Sequence, residues 1–305
     1  MVSTSSRCVT IGLPVYNGAR YLAETLDSWL GQDYADFEMV VSDNASTDET
    51  PAILADYQKR DSRIRVIRRE STVAAAENFN GLVHEASTPY FAWSACDDLR
   101  EPSFLRELVT VLDQDADVAL AYCQCQLLKE GEEPAKRRTY YAPDPPGIEA
   151  TPLWRAIGLL RRARSWGLIY GLMRLSVLKR THLCHTPMGL VPDVALMLEL
   201  STLARFYCVP EVLLRLRVHN ESTAAKGVDP MFAEGRGRRL DEETREFVDS
   251  FPLPPEERAL LLRELSIWCT KGRPRPLWMK IPGARWTYVH GGRRLVDLLG
   301  KVQGV

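Results

Sequence analysis

Two adjacent carboxylates, Asp97 and Asp98, follow an apolar and aromatic stretch that begins at Tyr90. This stretch predicts a short buried strand, and Glu101-Pro102 predicts the start of a helix. The two acids would then lie beyond the carboxyl end of a strand, where open α/β sheets bind ligands. Two negative charges about 4 Å apart repel each other by roughly 1 kcal/mol in water and about 4 near a protein surface, which favours a bound cation. The pair therefore indicates a divalent metal carrying a diphosphate, with a solvated helix-capping turn as the alternative.

Similar polar segments follow the other predicted strands of the first half of the chain. Strands are predicted from Cys8 to Leu13, Phe37 to Ser42, Arg63 to Ile67 and Tyr90 to Ser94, and helices from Arg20 to Leu30, Ser46 to Lys59 and Ala74 to Glu85. Ser46 and Glu49 have the spacing of a capping box, so we expect the second helix to begin there. This β-α-β-α-β-α-β order predicts a parallel sheet with right-handed crossovers.

Composition excludes several classes of protein. The 305 residues have a formal net charge of -1, which argues against a general nucleic-acid binder. The seven cysteines show no C-x-x-C spacing, so neither a disulfide framework nor a zinc ribbon is supported, and a reducing cytoplasm fits best. The first apolar run is interrupted by Gly12 and Pro14, which predicts a strand and not a signal peptide. No glycine-rich phosphate motif follows the first strand, which disfavours NAD enzymes and P-loop NTPases.

Four segments carry a resemblance to a known family. They are Ile11-Gly12-Leu13-Pro14-Val15-Tyr16-Asn17-Gly18, Val41-Ser42-Asp43-Asn44-Ala45-Ser46-Thr47-Asp48, Asn78-Phe79-Asn80 and Trp93-Ser94-Ala95-Cys96-Asp97-Asp98-Leu99. In order and spacing they resemble the amino-terminal motifs of family 2 glycosyltransferases of the GT-A fold, over about the first 110 residues. The resemblance implies a Rossmann-like, mostly parallel sheet flanked by helices. It also implies transfer of a sugar from a nucleoside diphosphate donor, normally with inversion, with Mg²⁺ or Mn²⁺ as cofactor.

The resemblance assigns a nucleotide-binding role to the first two segments. Pro14, Tyr16 and Asn17 would lie along the nucleoside, with Tyr16 as an aromatic wall against the base. Asp43 would accept a hydrogen bond from a base N–H group, and Asn44 in the same motif joins the nucleotide-binding set. From the residues alone, Tyr16 could equally be an exposed turn aromatic and Asp43 could form an Asx turn ahead of Ser46.

Further assignments concern the diphosphate and the metal. Arg69 would contact the nucleotide, although Arg68 competes for that role. Asp97 would hold ribose or sugar hydroxyls, and Asp98 would bind the metal. Thr72-Val73-Ala74 departs from the family pattern Asn-x-Gly, which leaves the geometry of that loop open.

The candidate general base lies in the second half of the chain. Pro192 suits the first position of a helix, which puts Asp193 in its first turn, where an acid complements the helix dipole by roughly 0.3 to 1 kcal/mol. In the family, a carboxylate at this place deprotonates the acceptor hydroxyl. We therefore assign the base to Asp193, with Glu199 as the second choice.

Arg217 and His219 lie on one side of a predicted strand from Val212 to Val218. In relatives an Arg-x-His here approaches the diphosphate and the metal, so Arg217 joins the donor site and His219 is a candidate metal contact. A histidine that simply closes a strand is the alternative. The nearby His182-Leu183-Cys184-His185 lacks further ligands at metal spacing and is interpreted as structural.

We predict a GT-A catalytic domain over residues 1–225, with a nucleotide-binding half to about residue 115 and an acceptor half from 116 to 225. A basic, helical extension would occupy residues 226–305. Its last 35 residues hold eight Lys or Arg against one acid, interleaved with aromatic residues, which favours either contact with an anionic membrane surface or packing on the domain. The long polar segment from Lys129 to Pro152 predicts a flap near the acceptor, with disorder as the alternative.

The expected partners are a nucleotide-sugar donor and a carbohydrate or lipid-linked acceptor, with no nucleic acid. We expect a cytoplasmic enzyme of polysaccharide or glycoconjugate assembly, located at the inner face of the membrane if the extension binds there. Two other classes stay open. A nucleotidyltransferase would share the strand-end carboxylates and the metal, and a non-catalytic module would bind a sugar nucleotide without turnover.

Overall fold

The computed structural model describes residues 8–129, 139–140, 151–162, 167–184, 192–220, 240 and 242–271. The strands are β1 (Val9–Val15), β2 (Phe37–Asp43), β3 (Ile64–Arg68), β4 (Tyr90–Trp93), β5 (Leu99–Arg100), β6 (Val118–Lys129), β7 (Thr139–Tyr140), β8 (Leu172–Arg174) and β9 (Arg205–Val218). The helices are α1 (Ala19–Leu30), α2 (Thr50–Arg60), α3 (Ala75–Glu85), α4 (Phe104–Gln114), α5 (Pro152–Arg162), α6 (Leu175–Leu178), α7 (Pro192–Leu203), α8 (Glu242–Asp249) and α9 (Pro255–Lys271), with a 3-10 helix at Gly167–Tyr170. Within these ranges the strands form one sheet of order β3-β2-β1-β4-β8-β6-β9-β5, and β7 pairs with β6.

The first half of the sheet is parallel, as the sequence predicts. β1 pairs with β2 and β4, and β2 pairs with β3. This register places Val15, Asp43 and Arg68 side by side at the carboxyl ends of their strands. Between β1 and β2, α1 buries an apolar stripe that includes Leu22, Leu26 and Trp29, the helical spacing read from the sequence. The polar residues that follow these strands therefore meet at one edge of the sheet.

The second half mixes directions. β8 runs antiparallel to both β4 and β6, whereas the two long strands β6 and β9 are parallel. The short β5, directly after Asp97 and Asp98, pairs with β9 through Leu99 and Arg215. This pairing brings the end of β9, which carries Arg217, beside the two carboxylates.

Alternate side chains of the central strands point into two hydrophobic clusters. In β4, Phe91 and Trp93 contribute to one cluster, and Tyr90 and Ala92 to the other. The first cluster also contains side chains from α5, α7, α8 and α9, for example Leu261 of α9. The described part of the predicted extension thus shares a core with the sheet. None of the described helices is long and apolar enough to cross a bilayer.

Some local predictions differ from the structure. α2 begins at Thr50, and Ser46 does not cap it because the Ser46 hydroxyl accepts a hydrogen bond from Asn17 N instead. The sequence from Trp166 to Arg174 predicts an extended segment, but Gly167–Tyr170 forms the 3-10 helix ahead of β8. Most of the predicted flap between residues 129 and 152, together with His185 and the basic segment after residue 271, lies outside the described residues.

Candidate active site

Asp43 is the buried carboxylate at the end of β2, with only 1% of its surface exposed. Its Oδ1 accepts a hydrogen bond at 2.9 Å from Ser46 N, three residues on, so the carboxylate closes the turn after β2. Its Oδ2 makes no hydrogen bond with any residue that the structure describes, and Arg68 Nη1 lies 3.7 Å away. A buried acceptor without a donor is uncommon in native proteins. Asp43 Oδ2 is thus an acceptor oxygen that could be satisfied by an N–H group of a ligand.

The loop between β1 and α1 is held by side chains from the loop between β2 and α2. Three consecutive N–H groups of residues 17–19 donate to side chains of residues 46–50. These bonds are Asn17 N to Ser46 Oγ (2.9 Å), Gly18 N to Thr50 Oγ1 (2.9 Å) and Ala19 N to Asp48 Oδ2 (3.1 Å). Burial raises the pKa of Asp48, but hydrogen bonds from Thr50 and Ala19 outweigh it and lower the pKa below its usual value. Helix N-termini commonly bind phosphate, but here a carboxylate takes that position. A diphosphate would have to be held elsewhere.

The residues predicted to line the nucleoside differ in accessibility. Tyr16 is 53% exposed and can receive a base, whereas Pro14 is buried within β1. Asn17 has a φ of 51°, a conformation that asparagine tolerates better than most residues, and its Oδ1 accepts a hydrogen bond from Thr47 N at 2.9 Å. The Asn17 side chain therefore shapes the loop that presents Tyr16.

Asn44 and Arg69 are occupied by contacts within the protein. The Asn44 side chain forms two 2.9 Å hydrogen bonds with the backbone of Val73, which fixes the loop whose geometry the sequence left open. Arg69 Nε donates to Asn78 Oδ1 at 3.0 Å. The arginine beside the Asp43 carboxylate is Arg68, the competing residue in the sequence analysis. Direct nucleotide contacts of Asn44 and Arg69 stay predictions.

The structure brings together the second group of predicted residues: Asp97, Asp98, Arg217 and His219. Asp98 Oδ1 accepts a hydrogen bond from Arg217 N at 2.9 Å, and Arg217 Nε donates to Asp97 O at 2.9 Å. His219 Nε2 lies 3.0 Å from Asp97 Oδ2. A metal contact through His219 Nε2 would therefore require this bond to break. These contacts join the end of β9 to the connection after β4.

Two residues of α1 that the sequence analysis did not assign to the site also contribute. The Arg217 guanidinium stacks over the Tyr21 ring at 4.3 Å and pairs with Glu24 Oε2 at 2.7 Å. The Tyr21 ring also lies 4.8 Å from the His219 ring. Tyr21 belongs to the buried face of α1, which gives no sign of a functional role, and nothing local to Glu24 indicates a partner 193 residues away.

Arg100 is a buried cation beneath Asp98. It is 4% exposed, its Nη1 donates to Asp98 O at 3.2 Å, and it stacks over Trp29 at 4.7 Å. Burial and the charge of Asp97 raise the pKa of Asp98 to about 7, while Arg100 and Arg217 oppose this rise. The carboxylate is thus held in surroundings that disfavour its charge unless a further cation is close.

We tested whether these residues suit a divalent metal. Asp98 and Asp97 offer hard oxygen ligands, and a cation would offset the burial and the charge of Asp97 that raise the pKa of Asp98. Among the described residues, no group of three or more His, Cys, Asp or Glu is arranged as a metal site. Mg²⁺ is commonly bound by one or two carboxylates, with substrate phosphates and water completing its shell. The residues present fit that arrangement.

Asp193 and Glu199, the two candidate bases, lie in different surroundings. Asp193 is in the first turn of α7, half-buried, and its Oδ1 accepts a hydrogen bond from Val194 N at 2.9 Å. Burial, and then the charges of Asp98, Asp97 and Asp193, raise the pKa of Tyr170 well above its usual value. Both Glu199 oxygens are engaged by His182, at 2.9 and 2.8 Å. This geometry favours Asp193 over Glu199 as the base.

Comparison with known proteins gives consistent matches. The model of the family described as "Glycosyl transferase family 2" matches residues 10–173. An uncharacterized glycosyltransferase of Rickettsia typhi is 27% identical over 228 residues, which span 72% of this chain and 67% of the relative. Glycosyltransferase GlyG of Streptococcus pneumoniae is 29% identical over 116 residues, 38% of each chain. The chain thus spans well under half of some relatives that it matches.

Solved structures share the fold. Residues 1–349 of S. aureus TarS in complex with UDP-GlcNAc superpose with a TM-score of 0.63 at 17% identity, over 86% of this chain and 72% of that one. The mannosyltransferase PcManGT from Pyrobaculum calidifontis in complex with GDP-Man and Mn²⁺ gives a TM-score of 0.57 at 16% identity, over 98% and 81% of the two chains. The predicted fold class is confirmed.

Proposed function

The chain belongs to glycosyl transferase family 2, and we propose that it transfers a sugar from a nucleoside diphosphate to an acceptor hydroxyl with inversion and with a divalent metal. The observation that carries the proposal is the gathering of two acidic groups at one edge of the sheet. One is the buried Asp43 with its Oδ2 lacking a donor among the described residues, and the other is the Asp97–Asp98 pair.

The donor base would bind at Asp43. Oδ1 is committed to Ser46 N, so Oδ2 is the oxygen that would accept a base N–H group. Uracil, thymine and guanine carry such a group, whereas the corresponding ring nitrogen of cytosine is an acceptor. The exposed Tyr16 would stack against the base, and Arg68 would donate to a base carbonyl oxygen. Pro14, Asn17, Asn44 and Arg69 would support this pocket.

The diphosphate would be held at the Asp97–Asp98 end. Asp48 accepts the hydrogen bond of Ala19 N at the amino end of α1, and its charge would repel a phosphate there. Asp98 would hold Mg²⁺ or Mn²⁺, with His219 and Asp97 beside it, and Arg217 would face the phosphates. The metal supplies Lewis-acid stabilisation of the charge that develops on the leaving diphosphate.

Asp193 would take the proton of the acceptor hydroxyl. The acceptor oxygen then bonds to the anomeric carbon from the face opposite the diphosphate, while the bond from that carbon to the phosphate oxygen breaks. The products are the inverted glycoside, the nucleoside diphosphate and a proton on Asp193. Glu199, which is tied to His182, would hold the 179–184 segment against α7.

The proposed acceptor is a carbohydrate or lipid-linked hydroxyl in polysaccharide or glycoconjugate assembly, in the cytoplasm. The basic segment that would contact the membrane lies beyond residue 271, outside the described residues. Vesicles of anionic and neutral lipid, tested for sedimentation of the full chain, would measure that contact.

The function is tested by incubating the full chain with UDP-, dTDP- and GDP-sugars, with Mn²⁺ or EDTA, and with a panel of sugar acceptors. Release of nucleoside diphosphate together with a glycosylated product is the expected result. Release of pyrophosphate from nucleoside triphosphates and sugar phosphates would instead identify a nucleotidyltransferase. Binding of donor with metal but without turnover on any acceptor would identify a binding module.

A further inference from the structure

Tyr170 lies on an element that contacts both the strand leading to Asp97 and Asp98 and the helix that carries Asp193. Tyr170 ends the 3-10 helix, which packs against β4, β6 and α7. β4 leads to Asp97 and Asp98, and α7 begins with Pro192 and Asp193. Tyr170 thus belongs to the element that touches both the donor side and the base side of the site.

The backbone holds Tyr170 in this place. At Gly171 an added Cβ would lie 2.5 Å from Ala121 O and 2.8 Å from Leu120 Cδ1, so only glycine allows this approach to β6. Gly171 N also donates to Leu168 O at 2.9 Å. β8 then continues at Leu172 as a strand between β4 and β6. The position of the Tyr170 Cα atom is therefore fixed by the sheet.

The Tyr170 side chain packs at the boundary of the two hydrophobic clusters, and the Arg100 guanidinium lies 5.9 Å from its ring. The side chain is half-buried, and none of the described residues forms a hydrogen bond with its hydroxyl. Burial and the charges of Asp98, Asp97 and Asp193, in that order, raise its pKa well above the usual value. The phenol therefore stays protonated, as a hydrogen-bond donor. Tyrosine hydroxyls in such surroundings usually have a partner.

We propose that Tyr170 donates a hydrogen bond to a hydroxyl of the transferred sugar and so helps determine which sugar is accepted. The inference rests on the proposed function. Arg100 links the phenol to the Asp98 side of the site, because its guanidinium lies 5.9 Å from the Tyr170 ring and its Nη1 donates to Asp98 O at 3.2 Å. The diphosphate joins the nucleoside to the sugar, and of these two groups only the sugar must reach the proposed base Asp193, on the helix α7 that the 3-10 helix also contacts. Tyr170 would therefore contact the donor sugar and not the nucleoside.

Tyr170→Phe removes the hydroxyl and keeps the ring, so it is the direct test. Calorimetric titration in Mn²⁺ buffer would compare UDP with UDP-glucose and UDP-N-acetylglucosamine, dTDP with dTDP-glucose, and GDP with GDP-mannose. The variant should bind the accepted nucleotide sugar about 3- to 10-fold more weakly and the matching free diphosphate as the wild type does. Tyr207→Phe, on an exposed tyrosine of β9, is the control and should change neither affinity.

The outcomes separate the two claims. If the wild-type chain binds none of the nucleotides, the proposed function fails and this inference fails with it. If the wild type binds both ligands of a pair and Tyr170→Phe retains full affinity for the sugar nucleotide, or loses affinity for both equally, only the role of Tyr170 is overturned. A second test needs no variant: among deoxy analogues of the bound donor, each lacking one hydroxyl, one should bind the wild type at least 3-fold more weakly than the parent. If none does, the inference is wrong.

Discussion

Replacing Asp43 with asparagine should change the base preference of the donor site. The change is isosteric, and the amide oxygen can still accept the 2.9 Å hydrogen bond from Ser46 N that shapes the turn after β2. The new NH₂ group takes the place of Oδ2, the atom without a donor among the described residues. A donor then faces the N–H group of uracil, and the same donor suits the ring nitrogen acceptor of cytosine.

The expected loss of UDP affinity follows from the hydrogen bond between the base N–H group and Asp43 that the substitution removes. A hydrogen bond to a charged group contributes about 1.5 to 3 kcal/mol, and about 1.4 kcal/mol corresponds to a tenfold change in affinity. Asp43→Asn should therefore weaken UDP binding by about 10- to 150-fold. CDP should gain a neutral hydrogen bond of about 0.5 to 1.5 kcal/mol, a gain of about 2- to 10-fold. Arg68 is 53% exposed, so its lost ion pair adds little.

Isothermal titration of the wild type and of Asp43→Asn with UDP and CDP in Mn²⁺ buffer measures the change in base preference. Asp56→Asn is a matched control because it makes the same chemical change at a half-exposed acid on α2 that faces Arg60. Melting temperatures of the variants verify that the fold is retained. If Asp43→Asn binds UDP as tightly as the wild type does, Asp43 does not contact the base, and the donor pocket has been assigned wrongly.

Three further changes test other parts of the site and of the fold. Asp98→Asn keeps an acceptor for Arg217 N but removes the negative charge that would bind the metal. The affinity for UDP should therefore be the same in Mn²⁺ and in EDTA. If UDP affinity still depends on Mn²⁺, the metal assignment is wrong. Asp193→Asn should lower the transfer rate by about 10²- to 10⁴-fold, measured as product formed per minute, while UDP affinity is unchanged; a normal rate would rule out this base. Gly171→Ala puts a methyl group 2.5 Å from Ala121 O and should lower the free energy of unfolding by about 1 to 3 kcal/mol, measured by denaturant titration. Equal denaturation midpoints for the variant and the wild type would show that β6 can move aside.

Much of the first half of the fold follows from local sequence. Apolar residues at helical or strand spacing predict elements because burial on one face is the dominant stabilisation, and short connections between alternating strands and helices leave a parallel sheet as the arrangement. The carboxyl ends of β1, β2 and β4 could be identified in this way. Asp43, Asp97 and Asp98 were found because each follows an apolar run.

Choices between neighbouring residues could not be made from the sequence. Arg68 and Arg69 are adjacent and chemically equal, and the end of β3 decides that Arg68 lies beside Asp43 while Arg69 donates to Asn78. Ser46 has the spacing of a capping residue, but contact with the β1–α1 loop makes it an acceptor for Asn17 N. In each case a side chain has several partners of similar strength, and packing selects one.

By itself the sequence determined the order of the elements in the first half of the chain, the α/β fold class and the acids at the strand ends, because these depend on patterns within a few residues. Only the tertiary structure decided that Glu24 pairs with Arg217, that Arg100 lies beneath Asp98, and that Tyr170 lies near Arg100. Those contacts arise where β5 pairs with β9 and where the 3-10 helix packs between β4 and α7. Such pairings are set by the combined packing of distant segments, which no local pattern encodes.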